Sequence, residues 1–240
     1  MRHTLSKLLG PISAVLVILT IWLGLFVTPP DVDQGELVRL VYIHPALAVE
    51  ALYASVGMAA LCSALYLWPR TRSMRMDRLA ASAIEVGVVF NILTLVTGSI
   101  WGRPTWGVWW TWDARLTSTA LLLVLSLGYL ALRRVPAEPH VRARRCAIAA
   151  IVAAVNVPII HFSVVWWQTL HQGCTAICPG LTYKIHGSMG WTLLLSFVAF
   201  TTCFAWMVVS RYRIDVLRDS GHDGDLDDAL EARRSEGVPS

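Results

Sequence analysis

The chain has 240 residues, of which 55% are hydrophobic and 15% charged, with a formal net charge of +4. An ordinary soluble domain carries about 25% charged residues, so this composition excludes a soluble globular protein and points to a chain that crosses a membrane repeatedly. The basic residues sit in short clusters between apolar runs, a pattern of membrane topology that implies no nucleic acid partner.

The first apolar run, near 11–28, follows a short basic start with Arg2 and Lys7. The next segment, TPPDVDQGEL, has no small-residue cleavage site, so this run is read as a retained helix rather than a signal peptide. Five further runs lie near 46–67, 79–101, 116–132, 146–166 and 189–210. A hydrocarbon core of about 30 Å needs about 20 helical residues, and every run fits that length. Lipid offers no partner for free backbone N–H and C=O groups, and period-2 alternation is absent, so each run is a helix and a β-barrel is disfavoured. The expected fold class is an all-α polytopic membrane protein with six transmembrane helices, one membrane domain over 1–213. The tail, 214–240, holds eight of the sixteen acidic residues and few large apolar ones, so disorder or a short surface helix is expected there.

Lys and Arg divide unevenly among the connecting segments. The N-terminus, 68–78, 133–145 and the C-terminal segment from 211 onward together carry 16, whereas the alternate segments 29–45, 102–115 and 167–188 carry 4. Basic residues near helix ends stay cytoplasmic. Both termini are therefore expected in the cytoplasm, and the alternate segments on the other side, in a bacterial periplasm or an equivalent compartment. There is no Walker A pattern and no GxGxxG, so neither ATP hydrolysis nor dinucleotide binding is expected.

The outer segments hold the unusual chemistry. WGRPTWGVWWTWDARLT, residues 101–117, contains Trp101, Trp106, Trp109, Trp110 and Trp112. An aromatic belt explains a tryptophan or two at a helix end, such as Trp166 and Trp167, but not a whole connection built this way. A short helix over this stretch would put Trp106, Trp109, Trp110 and Asp113 on one face. Gly102 and Gly107 would permit a bend, and Pro104 marks a possible helix start. His44, His161, His171 and His186 fall on the outer side or near it, while His3, His140 and His222 sit in segments expected to be cytoplasmic. A flat apolar platform beside histidines suits a planar macrocycle with an iron that takes imidazole ligands, namely haem. Arg103, Arg115 and Lys184 are the basic residues available there for its propionates.

This tryptophan-rich segment resembles the "WWD" signature of a family of haem-handling membrane proteins. YIHP at 42–45, LVTGSIWG at 95–102 and NVPIIHFSVVWWQTLHQG at 156–173 extend the resemblance to the cytochrome c maturation protein C branch, also called haem exporter protein C. It covers roughly 10–210, nearly everything except the acidic tail. The resemblance implies a haem-presenting protein rather than an enzyme, in the bacterial inner membrane among its lipid, holding non-covalent haem b at the periplasmic face. It implies presentation of that haem to the chaperone cytochrome c maturation protein E (CcmE), which attaches it to its own histidine. It further implies the ATP-binding-cassette subunits CcmA and CcmB, whose ATP hydrolysis releases the loaded chaperone, and the small membrane protein CcmD. The family's axial ligands fall on His44 and His171, and the tryptophan segment lies against the haem and helps to dock the chaperone.

Each residue also has a plainer role. His44 beside Pro45 suits a helix cap or the membrane interface. His161 lies inside an apolar run, where it either supports the site or hydrogen-bonds a neighbouring helix. His186 is the rival ligand. Asp113 and Arg115 are either a surface pair of little worth or, respectively, an orienting group and a propionate contact. Glu50, two turns inward from His44, faces the bundle interior or a polar cavity and is a candidate support of the haem site, and Glu85 belongs to the interior or the cytoplasmic edge. Cys62, Cys146 and Cys203 read as small hydrophobes. Cys174 and Cys178, a C-x3-C pair in an oxidising compartment, suit a local disulfide and are not a C-x-x-C-H haem attachment motif. Rival functions are a cytochrome c synthetase of the related branch, a membrane cytochrome b, and a haem transporter subunit. The chain is short for the first, its histidines flank helices rather than sit at membrane depth as in the second, and no broken-helix pair supports the third.

Overall fold

The computed structural model describes residues 2–171, 185 and 187–235. Apart from one isolated bridge between Asp31 and Gly35, these residues form helices and their connections. The helices are α1 (Arg2–Phe26), α2 (His44–Val49), α3 (Val56–Leu67), α4 (Met74–Trp106), α5 (Ala114–Arg134), α6 (Pro139–Trp166) and α7 (Gly187–Ser235). A 3₁₀ stretch, Glu36–Tyr42, precedes α2, and a π-helical stretch, Glu50–Ser55, joins α2 to α3. Six helical segments are long and apolar enough to cross a membrane: Lys7–Phe26, Glu36–Leu67, Met74–Trp106, Ala114–Arg134, Pro139–Trp166 and Gly187–Asp219. The expected six-helix, all-α architecture is thus present, with the second span assembled from four consecutive pieces.

Local chemistry sets the boundaries. Ser73 caps α4, its side chain accepting a hydrogen bond from the Arg75 amide at 3.2 Å. The helix ends where Gly107 takes φ 80°, the left-handed conformation that stops helices. Pro104 lies within the last turn of α4 and marks no start, because there it removes only one helical hydrogen bond. Asp113 starts α5, its Oδ1 accepting from the Leu116 amide at 2.8 Å. The connection between α4 and α5 is therefore not helical, and the expected face of Trp106, Trp109, Trp110 and Asp113 does not form. The helix α7 runs on to Ser235. Extending an existing helix avoids the cost of nucleation.

The core lies where α3, α4, α5 and α6 meet, around Val56, Ile84, Leu122, Tyr129 and Ala150. α1 packs chiefly on α7. Small residues let the helices approach closely. A Cβ placed on Gly87 would lie 1.8 Å from Ser55 Oγ and 2.5 Å from Ser55 Cβ, while Ser55 Oγ donates to the Ala83 carbonyl at 2.9 Å. Gly87→Ala is therefore expected to destabilise the bundle by about 1–3 kcal/mol through overpacking. Adding Ser55→Gly should recover part of that loss. Thermal unfolding in detergent measures both, and an unchanged midpoint for Gly87→Ala would show that the two helices do not meet at this point.

Polar groups bridge the helices. Asn156 Nδ2 donates to the Ser118 carbonyl at 2.8 Å. At the end remote from the tryptophan segment, Arg133 grips Asp77 with two bonds of 2.7 and 3.0 Å, and Arg211 binds Glu85 and Asp215. Glu85 is thus a paired group joining α4 to α7. Glu50 accepts from Thr201 Oγ1 on α7 at 2.6 Å. Cys62 and Cys146 are buried free thiols and Cys203 is a half-buried one, as expected of small hydrophobes. Cys174, Cys178, Lys184 and His186 lie outside the described residues.

Candidate haem site between two histidines

The end of α4, the starts of α2 and α5 and the segment after α6 converge at one end of the bundle. They enclose two adjoining cavities. The first, of about 210 Å3, is lined by Gln34, His44, Gly98, Trp101, Gly102, Thr105, Trp106, Leu170 and His171. The second, of about 140 Å3, lies between His44, Leu52, Tyr53, Arg115, His161 and His171, among others. His44 and His171, far apart in sequence, line both.

Each imidazole is held through its Nδ1. His44 Nδ1 lies 3.0 Å from Thr97 Oγ1, and its ring meets Trp101 edge-on with centroids 5.9 Å apart. His171 Nδ1 lies 3.4 Å from Asp113 Oδ2, which also accepts from the Leu170 amide at 3.2 Å. Its ring packs against Trp106 at a centroid distance of 4.8 Å. Burial pushes the His171 imidazole below its ordinary pKa, and the Asp113 carboxylate only partly offsets this. His171 is therefore neutral near pH 7. Its contact with Asp113 is a hydrogen bond from Nδ1–H, and Nε2 keeps its lone pair. Asp113 thus caps α5 with one oxygen and orients an imidazole with the other.

The five tryptophans divide. Trp101 and Trp106 line the first cavity, with Trp101 Nε1 donating to Gln34 Oε1 at 2.8 Å. Trp109, Trp110 and Trp112 line neither cavity. Trp109 is 60% exposed and Trp112 80%, and Trp110 meets Trp112 edge-on at 5.5 Å. Arg115 enters the second cavity, where its Nη2 donates to the His161 carbonyl at 3.2 Å and its buried Nε has no partner. No carboxylate lies within ion-pair distance of this guanidinium among the described residues. His161 lines the same cavity and its Nδ1 meets the Tyr53 hydroxyl at 2.6 Å. Arg103 donates to the Gly107 carbonyl instead, and Glu50 lines neither cavity, which leaves it out of the site.

No cluster of three or more metal-ligating side chains occurs among the described residues. Two imidazoles alone are a poor cage for a bare ion. They suit a metal whose other ligands come from a flat macrocycle, and the aromatic walls and a guanidinium without an ion pair among the described residues suit a macrocycle with an apolar and an acidic edge.

Comparison with known proteins agrees. The profile of the family described as CcmC, heme exporter protein C, matches residues 1–225. The chain belongs to the heme exporter protein C family. It is 37% identical to heme exporter protein C of Haemophilus influenzae over 218 residues, covering 90% of this chain and 86% of that protein. It is 38% identical to heme exporter protein C of Escherichia coli strain K12 over 186 residues, covering 76% and 74% respectively. It is also 34% identical over 226 residues to a cytochrome c biosynthesis ccmC-like mitochondrial protein of Arabidopsis thaliana, covering 93% and 82%. Membership gives the chain a haem-handling role in cytochrome c biogenesis and agrees with its six membrane-spanning helices.

Gln34, Tyr53, Thr97 and Gly98 are site residues that sequence reasoning passed over. A signal for two of them was present: in LVTGSIWG, Thr97 and Trp101 stand one helical turn apart, and Gly98 adjoins Thr97 on α4.

Proposed function

We propose that this heme exporter protein C family member holds haem b non-covalently at the periplasmic face of the inner membrane and presents it to CcmE. His44 and His171 are its axial ligands. The observation that carries this reading is their convergence: two imidazoles on separate segments line the same pair of cavities, each held through Nδ1. A haem held by these two imidazoles would bring its own planar iron site, and two histidine ligands would restrain its oxygen chemistry.

The remaining residues divide the work. Trp101 and Trp106 wall the apolar side. Arg115 faces the propionates, a role supported by its lack of an ion-pair partner among the described residues. Asp113 keeps His171 in place. Trp109 and Trp112, the exposed members of the segment, serve the approaching chaperone, a role that suits amphipathic rings left uncovered at an interface. CcmA, CcmB and CcmD complete the proposed assembly, with the outer orientation supported by the 16-to-4 division of Lys and Arg.

The test is purification of the full chain from cells supplied with haem and CcmE. The expected result is a Soret band of six-coordinate haem and a covalent haem–chaperone product that forms only in the presence of this chain. A preparation without haem under those conditions would overturn the reading and leave the tryptophan segment as a protein-docking surface.

A further inference from the structure

The two histidines are held by different chemistry. Asp113 is the partner of His171, and the Thr97 hydroxyl is the partner of His44 Nδ1, with the Thr94 carbonyl as a further acceptor beside that ring. A hydroxyl can donate as well as accept, so its bond to an imidazole does not by itself say which nitrogen carries the proton.

The surroundings of Thr97 decide it. Its Oγ1 lies 2.7 Å from the Leu93 carbonyl oxygen, one turn earlier on α4, and 3.3 Å from the Thr94 carbonyl. Two oxygens at 2.7 Å need a proton between them, and a carbonyl has none to give. The single Thr97 proton is therefore committed to Leu93. Toward His44 Nδ1, 3.0 Å away, Oγ1 offers only lone pairs. His44 must then donate from Nδ1–H, and in the neutral ring Nε2 is left as a bare lone pair. A hydroxyl turned the other way would set two oxygen lone pairs against each other at 2.7 Å and point an N–H where an iron ligand is needed.

The same stretch of α4 shapes the rest of the ring's seat. A Cβ on Gly98 would lie 3.0 Å from His44 Cε1, so any larger residue crowds the ring at the carbon between its two nitrogens. Trp101, one turn beyond Thr97, meets the ring edge-on.

We infer that Thr97 is a positioning residue that fixes the Nε2-ligating tautomer of His44 through a hydroxyl whose own proton is committed to the Leu93 carbonyl. This rests on the proposed role of His44 as an axial ligand. Thr97 sits mid-helix and touches no iron itself. Its effect passes through the ring, as partners of metal-bound histidines commonly act.

Two measurements test this. The first needs no haem: 15N NMR of the histidine-labelled full chain in detergent, with His44 assigned by its loss in His44→Gln. The expected shifts show a protonated Nδ1 and a bare Nε2 in the parent, and a tautomer mixture in Thr97→Val, which keeps the shape and removes the hydroxyl. The second is titration with haem. Thr97→Val is expected to weaken binding by about 10–100-fold and to lose low-spin character, with added imidazole restoring the low-spin spectrum. Thr97→Ser, which keeps the hydroxyl, should behave as the parent.

A parent ring protonated on Nε2 would overturn the inference, as would parent-like binding and spectrum in Thr97→Val. His44→Ala separates the two levels. If it changes the spectrum and Thr97→Val does not, only the role of Thr97 fails. If His44→Ala also leaves the spectrum unchanged, His44 is not a ligand and both readings fail.

Discussion

His44→Ala and His171→Ala are each expected to turn a six-coordinate, low-spin haem spectrum into a weaker, five-coordinate one. Loss of a second partner behind a ligating histidine costs about 10–100-fold in affinity, so loss of the ligand itself should cost at least about 100-fold. The double variant should retain no haem. Both side chains are only partly buried and line cavities rather than fill the core, so their removal leaves the packing around Val56, Ile84 and Leu122 intact. The variants should therefore run as folded monodisperse protein in detergent. Added imidazole should restore the six-coordinate spectrum in either single variant, because the truncation leaves room for it. Parent-like spectra in both variants would sink the ligand assignment and direct attention to His161 and His186.

Arg115→Leu should separate the protein with haem from the protein without it. This guanidinium is half-buried beside the second cavity, with one carbonyl acceptor and an unpartnered Nε. Burying such a charge without a carboxylate is costly. Leucine removes that cost, so the unliganded variant should be at least as heat-stable as the parent. Haem binding should fall by about 2–5 kcal/mol, the range for truncating one partner of a buried, hydrogen-bonded charge pair. The dimethyl ester of haem, which lacks the acidic groups, should bind parent and variant alike. Arg115→Lys should not restore the parent affinity, since a point charge cannot reproduce the guanidinium fork. A variant that is less stable without haem yet binds haem normally would instead make Arg115 a structural link to the His161 carbonyl.

Much of this protein was legible in one dimension because lipid is a simple solvent. Spanning it demands about 20 apolar residues and internal satisfaction of every backbone group. Hydropathy therefore located all six spans, although capping chemistry moved their ends: α4 runs to Trp106 because Gly107, not Trp101, supplies the left-handed stop. His44 and His171, which the family resemblance paired, sit in segments whose residue types stand out from their surroundings, whereas the capping of α5 by Asp113 came from the structure. The tryptophan segment was conspicuous for the same reason.

The rest depended on how each helix is rotated and which neighbour it meets. A span bathed in lipid and packed on apolar helices shows little contrast between its faces, so its sequence does not say which side turns inward. That is why Glu50 joins Thr201 rather than the site, and why Tyr53 meets His161 across 108 residues of chain. It is also why an unremarkable threonine in α4 becomes the partner of His44. Composition and spacing determined that this chain is a six-span membrane protein with a tryptophan-rich end and histidines to match. Only the tertiary structure divided those tryptophans into cavity walls and exposed rings, because a single glycine bend at position 107 separates Trp106 from Trp109.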